Sequence, residues 1–325
     1  MEKDISTDKR KIKKGYMDGL VIEELSKTNE LFYSKYPVKY FEIKAFELLN
    51  MLNNSGNYVN TFKNEVFSIG KVELGKAEFT DEQLSDYVKI EIVSTYYHCL
   101  ETFIRLFIAH ATLPKCPWIE LVSLDIRGYR KILKRLSNGN IDFKSQKYDP
   151  KTTMLKILTG ITNIKNEYIT EKGLENLIEW IKYIAHELLD VGEYNSLKHG
   201  MAILPSFGSM NINEKLKKEG DSVLILRIDE DEEREFLVQK NIFGDYDKKI
   251  GFIFFINEMI NNIIHVGKLT YCSPHNGEIN GLRATMMSPM EFRSKFHESN
   301  DLGYLLESYG IRLVYEEDLI NLEEE

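Results

Sequence analysis

From Thr80 the chain runs to Pro114 without a glycine or a proline. Apolar or aromatic residues recur at 87, 90, 93, 97, 100, 104, 107 and 108. This is the period of a helix with one buried side, and it predicts a single helix of about thirty residues. Thr80 and Gln83 have capping-box spacing at its start, and Pro114 and Pro117 stop it. A helix this long cannot bury its apolar side alone, so the chain must supply partner helices around it.

Composition agrees with a folded, reduced, water-facing protein. Apolar residues make up 43% of the 325, and glycine and proline together number only 20 and 7, which excludes a disordered or low-complexity chain. The balance is acidic, net −9, so a surface basic all over is excluded and only a local patch can meet a polyanion. Cys99, Cys116 and Cys272 form no CxxC pair, which points away from a disulfide framework or thiolate zinc site and toward a reducing cytoplasm. The start, Met1-Glu2-Lys3-Asp4, lacks a signal-peptide apolar stretch, and the most apolar run, 251–256, is far short of a membrane span. A cytoplasmic protein with no membrane partner is expected.

Further elements follow from pattern. Short helix signals lie at 41–52, a small hairpin at 66–79 around Gly70 and Gly75, and helices at 118–136 and 172–199. The second of these helices is expected to bury Trp118, Leu121, Val122, Ile126, Tyr129, Ile132 and Leu133. Residues 222–228 and 236–242 read as a hairpin about the acidic turn 229–233. Residues 246–266 are apolar almost all round and predict a buried helix. An amphipathic stretch at 289–306 leads to a strand at 311–315 and an acidic end with six acids in 316–325. The fold class is mainly α, a helical bundle with an inserted β-hairpin. Three segments are expected: 1–79, helical and extended; 80–205, the bundle core; and 206–325, the hairpin with helices packing on that core.

Two polar stripes interrupt these apolar patterns. His98, Glu101 and Arg105 fall within about 60° of one another on one helix face, and His110 lies five residues beyond Arg105, about 140° round. A plain ion pair, Glu101 with Arg105, explains this stripe as well as a ligand site does. The second stripe, His186, Asp190, Tyr194 and Lys198, follows i,i+4 steps toward His199 and Gly200. Cations there also complement a helix C-terminus.

Arg105-Leu-Phe-Ile-Ala-His110 resembles the Arg-x4–6-His motif of HEPN domains, and Asn195-Ser-Leu-Lys-His199 resembles the Asn-x-x-Lys-His helix endings of HEPN-like proteins. The resemblance covers about residues 80–200. It implies a helical bundle that dimerises and cleaves RNA without a metal or other cofactor, in prokaryotic toxin or antiviral defence systems. In that reading His110 or His199 moves protons, Arg105 and Lys198 hold phosphate, and Asn195 and Glu101 orient them, with His98 and Tyr194 in support. Leu106 departs from the family, which commonly has a polar residue after the arginine, and this favours a non-cleaving member.

RNA contact has one candidate surface: Arg127, Arg130, Lys131, Lys134 and Arg135, five cations with no acid between them. A solvated outer helix face explains them too. Neither a Walker loop, a Gly-x-Gly-x-x-Gly, a Gly-x-Ser-x-Gly elbow nor metal-ligand spacing is present. Two functions are therefore weighed: a HEPN-like ribonuclease acting as a homodimer, and a non-catalytic helical binding or scaffold protein whose polar seam is structural or holds a small ligand; the acidic turn 229–235 is a candidate contact for a second copy or a protein partner.

Overall fold

The capping box at Thr80 forms: the Thr80 hydroxyl accepts from the Gln83 amide, and the Gln83 side chain accepts from the Thr80 amide. The computed structural model describes residues 22–76, 78–143, 148–160, 170–189, 203–213, 216–230, 235–243, 245–272, 277–284, 287–296 and 307–313. In chain order the elements are α1 (Ile22–Lys35), α2 (Tyr40–Asn53), α3 (Ser55–Asn64), β1 (Phe67–Ile69), β2 (Val72–Gly75), α4 (Asp81–Ala111), α5 (Pro117–Ser123), α6 (Ile126–Ser137), α7 (Pro150–Thr159) and α8 (Glu171–Leu189). There follow β3 (Ile203–Asn213), β4 (Leu216–Glu230), β5 (Glu235–Phe243), α9 (Tyr246–Tyr271), β6 (Gly277–Ala284), α10 (Pro289–Lys295) and β7 (Glu307–Leu313). Helices dominate, as expected for a mainly α bundle with β insertions.

The 31 residues of α4 form the axis of the core, and α9 runs beside it in the same direction. Tyr96 meets Phe252, Cys99 points its thiol at the Ile253 carbonyl, and His110 meets Tyr271, so the two helices stay in step along their length. α4 ends where Leu113 takes φ +50°, a left-handed turn, directly before Pro114. One hydrophobic cluster joins residues from Phe32 to Phe292, so all three sequence segments contribute to it. Among the described residues α9 is the one helix long and apolar enough to cross a membrane, and 83% of its apolar window is buried in the bundle. Its apolarity therefore serves the core.

Close backbone approach sets the seat of α1. A Cβ on Gly267 of α9 would lie 2.4 Å from the Tyr33 ring, so only glycine lets Tyr33 rest against that helix.

The helix expected over 118–136 is two helices. α5 stops at Ser123, Leu124 is extended (φ −71°, ψ 104°), and the Asp125 carboxylate accepts the Gly128 amide 2.6 Å away to start α6. The break rotates the two halves relative to one another. Val122 and Ile126, expected inside, are 70% and 68% exposed, whereas Tyr129, Leu133 and Leu136 are buried.

The β elements are all antiparallel. β1 pairs with β2 around Gly70 as expected. The expected hairpin is β4–β5, with Asp229 opposite Phe236, and it is extended by β3 into a three-stranded sheet in the order β3-β4-β5. The strand expected at 311–315 is β7, which begins earlier, at Glu307, and pairs with β6. Of the stretch 289–306, α10 covers the first turns, and residues 297–306 lie outside the described part.

Candidate functional site

α4 carries both residues of the Arg-x4-His motif, and they leave the helix toward different neighbours. Arg105 donates from Nε to Glu101 Oε1 at 2.8 Å and lays its guanidinium 4.4 Å over the Tyr129 ring of α6. Glu101 is 6% exposed, so its charge is balanced where water is scarce. The ion pair weighed as the plain reading of this stripe is present. Beside it, burial drives the Tyr129 hydroxyl away from ionisation, with the Glu101 charge adding to the effect.

His110 faces the opposite way. Its Nδ1 lies 2.7 Å from the Leu106 carbonyl, which can only accept, so Nδ1 carries the proton. Nε2 is then a bare acceptor, and Tyr33 donates its hydroxyl to it at 2.6 Å. Tyr33 in turn stacks parallel to Tyr271, ring centres 5.9 Å apart. His110 is 4% exposed, and desolvation lowers its pKa to about 4 against the opposing pull of the Leu106 carbonyl. The ring is neutral and committed at both nitrogens.

The reading in which Arg105 holds phosphate while His110 moves protons needs both side chains at one site, and α4 keeps them apart. Five residues on a regular helix rotate about 140°, and α4 stays helical through Ala111 instead of bending back. Arg105 therefore meets α6, while His110 is sealed by α1 and α9. His98, placed on the Arg105 stripe, is exposed and packs edge-on to Phe41 at 5.1 Å and Tyr40 at 6.1 Å. Tyr194, Asn195, Lys198 and His199 lie outside the described residues, as does Asp190.

The basic helix is α6. Arg127, Arg130, Lys131, Lys134 and Arg135 are all exposed and span an arc of about 140°, opposite buried Tyr129, Leu133 and Leu136. Arg135 is tied down by the Asp142 carbonyl and Asn140, and lies over Phe143. The other four make no ion pair with a described residue.

A groove of about 420 Å³ that sequence pattern did not reveal opens between α8 and α10, with Ser137 of α6 also in its lining. Tyr183, Pro289 and Met290 give its apolar surface, Lys182 and Arg293 its cations, and the His186 imidazole also lines it. Of these, only His186 stood out beforehand, as the first member of the second polar stripe. The capping box of Ser288 with Glu291 was the available signal for α10, yet nothing local places Arg293 opposite α8. Among the described residues no group of three or more His, Cys, Asp or Glu side chains is arranged to hold a metal ion.

Fold and site together define a helical bundle with antiparallel β insertions, two polar sites on its axial helix whose Arg105 and His110 are each held by partners within the fold, and a cationic outer helix. Comparison with protein families, curated proteins and solved structures finds no match to this chain.

Proposed function

We propose that this protein is a cytoplasmic, non-catalytic binding protein that takes single-stranded RNA on the outer face of α6. The observation that carries the reading is the set of four exposed cations, Arg127, Arg130, Lys131 and Lys134, with no carboxylate partner among the described residues. Arg127 and Lys131 are one helical step of about 6 Å apart along the axis, so successive cations can meet successive phosphates. Tyr129, Leu133 and Leu136 of α6 are packed in the core, and exposed Ile126 is a single side chain, too little for the apolar half that a helix lying in a lipid surface needs. The net charge of −9 does not oppose this, because a local patch decides a local contact. Against catalysis stand the two commitments on α4: Arg105 to Glu101 and Tyr129, and His110 to Tyr33 and Leu106. In this reading the likeness of 105–110 to the HEPN motif is one of pattern and not of chemistry.

The test is fluorescence anisotropy of a labelled single-stranded RNA, with the same mixture run on a gel in the presence of EDTA. Binding without fragments is expected, and replacing the four cations by glutamine should weaken it at least tenfold with Tm unchanged. Unchanged binding would remove α6 from the interface. Fragments ending in 2′,3′-cyclic phosphate, absent in Arg105→Ala and His110→Ala variants that remain folded, would replace this reading by the ribonuclease. Binding to phosphatidylserine vesicles in place of RNA would reassign the face to a membrane.

A further inference from the structure

We propose that the groove between α8 and α10 is a binding site for an amphipathic carboxylate, an acyl or aryl chain ending in one acid group. The site is separate from the α6 face and does not depend on it. Its volume, about 420 Å³, is that of a small-molecule site. The surface is mainly apolar: Pro289 is buried in one wall, Tyr183 is half-buried in the other, and Met290 projects 80% exposed at the lip. An exposed methionine beside a proline and a tyrosine offers an adaptable apolar surface with no partner in the bundle.

The charges at the rim fix the sign and shape of the ligand. Lys182 is neutralised by Glu179 at 3.3 Å, and Glu179 is the one carboxylate among the described lining residues. Arg293 makes no ion pair with a described residue, and His186 lies on the facing helix. A planar guanidinium at the edge of an apolar groove matches a carboxylate through two parallel hydrogen bonds, which a point cation cannot do. The α8 wall of the groove is braced by the core. Tyr183 packs against Trp180 and Phe252, and its hydroxyl lies 3.4 Å from that of Tyr96, which donates to Glu187. Trp180 Nε1 also donates to the Met287 carbonyl at 2.9 Å, tying α8 to the chain entering α10.

Trp180 therefore reports on the groove. In a Trp118→Phe background, where Trp180 is the remaining tryptophan, octanoate should change the fluorescence saturably and bind at least tenfold more tightly than 1-octanol. Arg293→Gln should abolish that preference while octanol binding and Tm stay as they were, and Arg293→Lys should restore only part of it. Met290→Ser should weaken both ligands about equally. Octanol binding as tightly as octanoate would overturn the carboxylate assignment, as would an Arg293→Gln protein that keeps the preference. No saturable change with either ligand would overturn the site itself.

Discussion

Tyr33 on α1 donates its hydroxyl to His110 Nε2 on α4 at 2.6 Å, across a sequence separation of 77 residues. The bond joins the first described helix to the axial one inside the core. Tyr33→Phe keeps the ring packing but leaves Nε2 buried without a donor, a loss of about 1–3 kcal/mol. Urea denaturation should show that loss as a lower midpoint at constant m. An unchanged midpoint would mean that another donor replaces the hydroxyl.

Burial of the same histidine gives stability a pH dependence whose sign follows directly. The His110 pKa falls from 6.5 to about 4 on folding, because burial disfavours the charged ring. The unfolded chain thus binds the extra proton first as pH drops. The contribution of His110 is complete above about pH 6.5, and it declines as pH falls toward 4 by on the order of 1 kcal/mol per pH unit. His110→Gln should flatten the slope of unfolding free energy against pH in that window. An identical slope in the variant would show that other groups carry it.

How far the sequence reveals this arrangement depends on the range of the interaction. The capping box of Thr80 with Gln83 and the stop at Pro114 are local, and both ends of α4 follow from them. The break at Leu124 was hidden because apolar residues continue in period across it, from Trp118 through Val122 and Ile126 to Tyr129. Asp125 was the overlooked signal, three residues before the amide it caps. β3 is poorly marked in the sequence because Pro205, Gly208 and two asparagines weaken its strand pattern, and its place is set by pairing with β4. The Arg-x4-His spacing was visible, but which neighbours Arg105 and His110 meet is a tertiary fact. Tyr33 and Tyr129 reach them from distant parts of the chain.

Arg105 and Glu101 should behave as a unit. Arg105→Ala takes the guanidinium away both from a carboxylate that is 6% exposed and from the Tyr129 ring. The expected loss is about 2–4 kcal/mol, nearer the lower figure because the arginine itself is partly exposed. Removing both charges with Glu101→Leu and Arg105→Met should cost less than Arg105→Ala alone, because the buried carboxylate leaves together with its counter-ion. A double-mutant cycle by thermal unfolding checks this, and additive losses would argue against coupling.

Two helical glycines should respond to alanine with opposite signs. At Gly267 the gain in helix propensity, about 1 kcal/mol, is outweighed by a methyl group 2.4 Å from the Tyr33 ring, whose displacement costs about 1–3 kcal/mol and also breaks the bond to His110. Gly56 in α3 has nothing within 4 Å of its added Cβ, so Gly56→Ala should raise stability by a few tenths to about 1 kcal/mol. Calorimetric Tm values for the two variants should move in opposite directions. A neutral Gly267→Ala would mean that α1 shifts away from α9 without loss.

The RNA contact of α6 should be read through salt and not through a single affinity. Each phosphate neutralised on a single strand releases counterions and steepens the fall of log K with log salt by about 0.7. Four cations with no ion pair among the described residues therefore predict a slope of about −3 for the intact protein. Lys131→Gln should reduce its magnitude by about 0.7, while Arg135→Gln should change it little, because Arg135 is already held by the Asp142 carbonyl and Phe143. The same two substitutions distinguish a phosphate track from a diffuse cationic surface, on which they would act alike. Equal effects of Lys131→Gln and Arg135→Gln would thus reject the track even if the RNA still bound.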